Sequence, residues 1–372
     1  MDDRNIQLAH NLITNSISLK RNDNLLIEVI GKDGLTLGNE IVKQAKEIDA
    51  KAYLSIVDYN DLREFLTNAS ENEIIEYGKK DYERMKNMQA YIGISAPTKD
   101  KELEGVPQEK LEWYNKYYTA LVHLKQRVKH TKWCILRYPN EYYANKNNMT
   151  LEAFKDFYYN VCNVDYNKMK KAMEPLKILL NRTDKVHIVA PETDLTFSIK
   201  GIPAEKYYGT FNIPDGEVAT CPVKNSINGY ITYNTKTKYN NIIFENIRFD
   251  FENGKIIKAT AKNNVKELNQ ILDTDEGARY IGEFAFGLNP YVNNTMCDTL
   301  FDEKINGSFH LTPGMALEES DNGNRSAIHW DIVKILRKEY GGGEIYFDNV
   351  LIMKDGKFVL NDLKGLNREN LI

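Results

Sequence analysis

Residues 326–333 read SAIHWDIV, which places His329 two positions before Asp331 behind small and apolar residues. On a strand, alternation turns residues two apart to the same face. Burying an imidazole beside a carboxylate is costly unless something binds the pair, and a metal ion is the obvious candidate. Other hard-metal ligands gather in the same half of the chain. Glu217 follows a proline and glycine turn in NIPDGEVATCPV, and Glu283 interrupts the apolar run ARYIGEFAFGLNP. LFDEKINGSFHLTPG adds Glu303 and His310. Carboxylate oxygens with imidazole nitrogens suit zinc, manganese, cobalt or ferrous iron, whereas a thiolate-rich site is not suggested. Each residue alone has a plainer reading: a glutamate after a turn is commonly a cap, and a lone histidine is commonly a hydrogen-bonded core residue. Glu283 resists that reading, because Ile281, Phe284 and Phe286 make an uncompensated carboxylate expensive.

These residues need elements to hold them. In the first part of the chain, helical spacing (Ile6, Ala9, Leu12, Ile13; residues 36–50; the YNKYYTALVHLKQRVKH stretch) alternates with four β-like runs at 24–31, 52–58, 90–97 and 132–139. Such alternation indicates a mainly parallel α/β layer. Residues 150–181 are helical and charged and read as a connection. After 184 the texture changes to strands joined by polar turns, among them the tight-turn sequences ENGK and KDGK. With 372 residues, more than one core is expected. The expected fold class is α/β: an N-terminal mainly parallel α/β domain with its helical connection over 1–182, then a β-rich α+β catalytic domain over 183–372.

Lys and Arg number 49 against 53 Asp and Glu, a net charge of −4 with the signs interspersed, so no basic stripe marks a nucleic-acid partner. The densest basic run, KQRVKHTK at 125–132, reads as the solvated end of a helix. Four scattered cysteines (Cys134, Cys162, Cys221, Cys297) read as free thiols. The N-terminus lacks a secretory pattern and no long apolar run is present, so the cytoplasm is the expected compartment, with no membrane partner.

In their order, PDGEVATCPV, ARYIGEFAFGLNP, DEKINGSFHLTPG, NRSAIHWDIV and GGEIYFDNVLIMKDGKFVL resemble the aminopeptidase T, or aminopeptidase S, family of metallopeptidases. The resemblance runs through most of residues 184–362. It implies a dimeric exopeptidase that removes N-terminal residues from peptides with a free N-terminus, using two divalent ions per chain (zinc, cobalt, manganese or magnesium). By motif position Glu217 and Glu283 correspond to the first two carboxylate ligands, with Glu283 bridging, and Glu303, His310, His329 and Asp331 fall on the remaining metal positions. Two ions about 3.5–4 Å apart can hold a water, lower its pKa and polarise the scissile carbonyl. Glu217 or Glu303 would carry the proton to the leaving amine, which makes Glu217, Glu283 and Glu303 the candidate catalytic residues.

The chain departs from the family pattern after His310. HLTPGMALEES puts Leu317 where the family carries a tyrosine, with Thr312 and Pro313 also altered. A leucine cannot donate a hydrogen bond, and one missing oxyanion donor costs about 10²–10³ in rate. Two alternatives follow: a family member with weak or repurposed peptidase activity, or a ring-cleaving dioxygenase of the related hydroxypyridine type, in which His310, His329 and Asp331 hold one ferrous ion.

Overall fold

The computed structural model describes residues 2–372. They form two compact units, one running to Asn163 and including Gly209–Ile213, the other Val164–Tyr208 with Pro214–Ile372.

In the first unit, strands Asn24–Ile30, Lys51–Val57, Ala90–Ser95 and Lys132–Arg137 occupy the four expected runs. All pair in parallel, with Asn24–Ile30 between Lys51–Val57 and Ala90–Ser95. Parallel neighbours need crossovers, and helices Leu35–Glu47, Tyr59–Asn68 and Glu71–Lys86 supply them. Leu25, Leu26 and Ile27 are fully buried, as expected of a strand covered on both faces. The short strand Asn212–Ile213 closes this sheet beside Lys132–Arg137, an excursion not visible as periodicity. The helical stretch before Lys132 is wound wide, as a π-helix over Asn115–Arg127 that buries Tyr118, Val122 and Gln126. Its basic end is only partly solvated, since Arg127 lies 5.0 Å over the Tyr91 ring and 4.6 Å over Trp133.

Helix Tyr166–Arg182 falls in the second compact unit. The reason lies in its apolar stripe. Met169, Met173, Leu176 and Leu180 are buried, and the helix packs on strands Glu205–Tyr207 and Glu217–Thr220.

An eight-stranded sheet and a five-stranded sheet make up most of this unit, and every pairing within them is antiparallel. ENGK is a tight turn as its composition demands: Asn253 and Gly254 have φ of 48° and 83°, and a Cβ on Gly254 would meet the Lys224 carbonyl oxygen at 1.9 Å. The five-stranded sheet runs Ile332–Ile335, Ser308–Pro313, Ile281–Gly287, Glu217–Thr220, Glu205–Tyr207. Its central strands are buried along their whole length. One face carries Val218, Phe284, Phe286, Phe309 and Leu311 into the core, where Phe284 meets Phe286 at 5.1 Å and Phe309 at 6.0 Å. The opposite face carries Glu217, Ala219, Glu283, Ala285, Gly287 and His310. The strand expected through SAIHWDIV begins only at Ile332. His329 and Asp331 lie on the segment leading into it, with His329 bridged to Gly314.

Candidate metal centre

Alternation and register bring the candidate ligands together. Ala285 faces His310 on one side and Ala219 on the other, while Gly287 faces Glu217. Glu283, Ala285 and Gly287 therefore share a face with Glu217 and His310. A register irregularity between Ile281 and Glu283 falls where a side chain is commonly re-aimed. Gly282 is needed there because a Cβ would lie 2.3 Å from the Met315 carbonyl oxygen.

Each oxygen of Glu283 faces a different histidine. Oε1 is 3.6 Å from His310 Nε2, which is also 3.7 Å from Glu217 Oε2. Oε2 is 3.3 Å from His329 Nε2, itself 3.4 Å from Asp331 Oδ1. Two sets of potential ligand atoms result, each within 4.8 Å of one another: Glu217, Glu283 and His310; and Glu283, His329 and Asp331. Glu303 enters neither set. Its Oε1 accepts from Lys304 Nζ at 2.7 Å, although its carboxyl still feels the charges of Glu217, Asp331 and His310.

Supporting groups fix these side chains. The Met315 carbonyl oxygen lies 2.8 Å from His329 Nδ1, so Nδ1 donates, and loss of the remaining ring proton would turn an Nε2 lone pair toward the site. Thr312 donates to Asp331 Oδ1 at 2.6 Å. His329 is the open side of the cluster, with its side chain 32% exposed against 1% for His310.

Lys304 was not singled out from the sequence. It is 1% exposed, with Nζ 2.8 Å from Glu217 Oε1, 2.7 Å from Glu303 Oε1 and 3.4 Å from Asp215 Oδ1. Three ammonium protons thus meet three carboxylates. The signal was the acidic pair Asp302 and Glu303 directly before it, at the threshold of an apolar strand. Leu317, at the divergent position, is half-buried beside exposed Glu318 and Glu319. Cys134, Cys162 and Cys221 are buried, and Cys297 is half-buried.

The electrostatics describe a centre rich in negative charge. Burial pushes the Glu217 carboxyl up to about 7, with Lys304 opposing and Glu283 adding to the rise. Burial likewise drives Glu303 well up. At Glu283 burial is outweighed by His310 and His329, which hold it well below the ordinary range. Burial opposes both imidazolium forms, yet hydrogen bonding to Glu283 and nearby carboxylates lift His310 to about 9; Asp331 and then Glu283 lift His329 to about 10. Protons gather here because the carboxylates outnumber the fixed cations.

Comparison with known proteins concerns the chain as a whole. A family model described as thermophilic metalloprotease (M29) matches residues 1–358. Aminopeptidase PepS of Streptococcus thermophilus is 26% identical over 381 residues, covering 87% of this chain and 89% of that one. Aminopeptidase AmpS of Bacillus subtilis is 35% identical over 129 residues, 33% of this chain. That match spans only 30% of AmpS, and the match to Aminopeptidase 2 of Geobacillus stearothermophilus spans 37% of it. Among solved structures, wild-type AmpT from Thermus thermophilus superposes with a TM-score of 0.79 at 20% identity, covering 97% of this chain and all of that one. This likeness extends to the two-part fold, parallel sheet first and antiparallel sheets second.

Proposed function

Because the chain belongs to the thermophilic metalloprotease family M29, a family of metal-dependent peptidases, we propose that it is an aminopeptidase that hydrolyses the first residue from peptides with a free N-terminus, using two divalent ions. The observation that carries the reading is that the potential ligands form two sets sharing the buried Glu283.

The residues fit such a group. Glu217 Oε2 is a buried acceptor with no hydrogen-bond donor, a costly state that a cation relieves. Charge supports the number two. Asp215, Glu217, Glu283, Glu303 and Asp331 supply five negative charges when ionised, and Lys304 supplies one positive. The four left over equal the charge of two divalent ions. Asp302, also buried, is left out of this count because its Oδ1 accepts from the Met296 N–H at 2.6 Å.

Glu217, Glu283 and His310 would hold one ion, and Glu283, His329 and Asp331 the other, with zinc, cobalt, manganese or magnesium open by ligand type. When bound, the ions activate water and polarise the scissile carbonyl. Glu303 stands outside both sets, so it is the carboxylate best placed to take the proton from the attacking water and deliver it to the leaving nitrogen. Lys304 keeps Glu303 and Glu217 oriented. The mononuclear dioxygenase reading gains less support, since His310 groups with Glu217 and Glu283, apart from His329 and Asp331. A homodimer remains part of the proposal on the family resemblance, and sedimentation tests it. Among the described residues no helix is long and apolar enough to cross a membrane.

The test is elemental analysis of protein purified without chelator, alongside assays on aminoacyl reporters with free and acetylated amines. About two ions per chain with turnover of the free amine alone is the expected result. One iron per chain with oxygen uptake and no peptidase turnover would replace the proposal.

A further inference from the structure

Between the candidate ligands His329 and Asp331 stands Trp330, whose side chain turns the other way. It is buried against a hairpin, strands Lys236–Tyr239 and Ile242–Glu245, which forms a two-stranded sheet of its own. Asn240 and Asn241 make its turn, with φ of 48° and 65°, the left-handed pair that a two-residue hairpin loop requires. Thr237 faces Phe244 across the ladder, and Tyr239 lies two residues further on, so the three share one face. Trp330 fills that face. Its ring lies 4.9 Å from Tyr239 and 5.2 Å from Phe244 between centroids, and the indole Nε1–H donates to Thr237 Oγ1 at 3.1 Å.

This contact does for one ligand set what strand pairing does for the other. Glu217, Glu283 and His310 stand on strands with a neighbour on each side. His329 and Asp331 precede their strand, which begins at Ile332, where the backbone has the bridge to Gly314 and a bond from the Trp330 N–H to the Pro313 carbonyl at 3.3 Å. Adjacent side chains on an extended segment point to opposite faces, so what fixes Trp330 fixes the direction of the residues on either side of it. A two-stranded hairpin alone is marginal, and this one is tied to the same segment at its base. Thr235 Oγ1 donates to the Val333 carbonyl at 2.6 Å, and Asn234 exchanges bonds with the Ile335 backbone at 2.8 and 3.0 Å. Asp331 itself lines a small cavity with Thr235, Lys236, Thr237 and Lys238.

We propose that Trp330 is a positioning residue: seated in the hairpin, it sets the affinity of the ion that Glu283, His329 and Asp331 would hold, and leaves the ion of Glu217, Glu283 and His310 unaffected. The proposal rests on the two-ion reading. A binding constellation is as firm as the packing that locks its members, and groups that orient metal ligands carry about 10–100-fold in affinity. Thr237 touches the indole and belongs to neither ligand set, so a change there reaches the ion through Trp330.

The experiment titrates cobalt into metal-stripped wild type, Thr237→Val, Thr237→Ser and Trp330→Phe by calorimetry, with Asp331→Asn marking the step that belongs to the second set. Valine keeps the volume of threonine and removes the acceptor, serine retains it, and phenylalanine keeps a ring in the slot without the N–H. If the valine variant does not fold, Trp330→Phe carries the same test. Expected is a loss of about 10–100-fold in Thr237→Val and Trp330→Phe at the step that Asp331→Asn weakens, with the other step within about threefold and Thr237→Ser within about threefold at both. Both steps unchanged in the variants, with two ions bound by wild type, overturns the assignment and leaves the two-ion reading standing. Equal weakening of both steps also overturns it and makes Trp330 a core residue alone, as does a serine variant no better than the valine one. Wild type that takes up one ion defeats the two-ion reading itself, and the role of Trp330 with it.

Discussion

Lys304 is the residue on which the buried charges turn. Removing one partner of a buried ion cluster leaves the others uncompensated, so Lys304→Met should cost about 3–5 kcal/mol in stability by denaturant unfolding; a change within ~1 kcal/mol would show that the cluster holds without it. Glu283→Gln acts differently, because one substitution touches both ligand sets. Bound metal should fall from about two ions per chain to about one or fewer, and full occupancy would remove the shared-ligand role. The histidines set the pH response of metal-stripped protein. Their folded pKa values, about 9 for His310 and about 10 for His329, lie above the ordinary 6.5. The stabilisation is therefore complete below about 6.5 and lost as pH rises through 9 to 10. The raised Glu217 carboxyl, about 7, works in the same direction between its ordinary 4.5 and 7. Stripped protein should thus lose melting temperature steadily from about pH 6 to 10. Metal displaces those protons, so the gap between loaded and stripped protein should widen over the same range. A gap that narrows would mean the ions bind elsewhere.

At the scale of elements, the close approach of Gly287 to the segment carrying Glu303 and Lys304 is a tight joint at the site. A Cβ on Gly287 would lie 2.3 Å from the Ile305 carbonyl oxygen and 2.9 Å from that of Glu303. Gly287→Ala should therefore displace both charged residues, destabilise by about 1–3 kcal/mol and reduce bound metal; an unchanged ion content would show that Glu303 and Lys304 are not needed to hold the ligands. Composition made part of this legible. Glu283 stood out because phenylalanines flank it, and the four parallel strands because each is a mostly apolar run. Less visible was what pairing alone creates. The face that carries Glu217, Glu283 and His310 comes from three strands whose register no local pattern encodes. SAIHWDIV had the right residue types but too long a strand, since a backbone bridge to Gly314 and the Met315 carbonyl hold His329 before regular pairing begins at Ile332. The wide winding of Asn115–Arg127 keeps apolar and aromatic spacing close to that of an α-helix, so periodicity could not distinguish the two.

On the scale of the whole molecule, every candidate ligand and Lys304 belong to the second unit, while the first has its own parallel sheet and core. Two cores in one chain permit departure from a single cooperative transition, and we infer that the ions stabilise only the unit that holds them. A ligand at 100 times its Kd adds about 2.7 kcal/mol to the state that binds it, which for a unit of this size raises its melting temperature by about 5–11 °C. Calorimetry of the intact chain, stripped and then titrated with cobalt or zinc, should therefore show one component moving upward while the other stays within a degree or two. Asp331→Asn should reduce that upward shift by more than it lowers the metal-free melting temperature, because Asp331 acts mainly through the ion and only in part through the charge it presents to His329. Equal losses with and without metal would instead make Asp331 a structural acceptor for Thr312, its nearest donor at 2.6 Å. If both components moved together, the units would unfold as one, and metal at the Glu283 face would govern the stability of the parallel sheet as well.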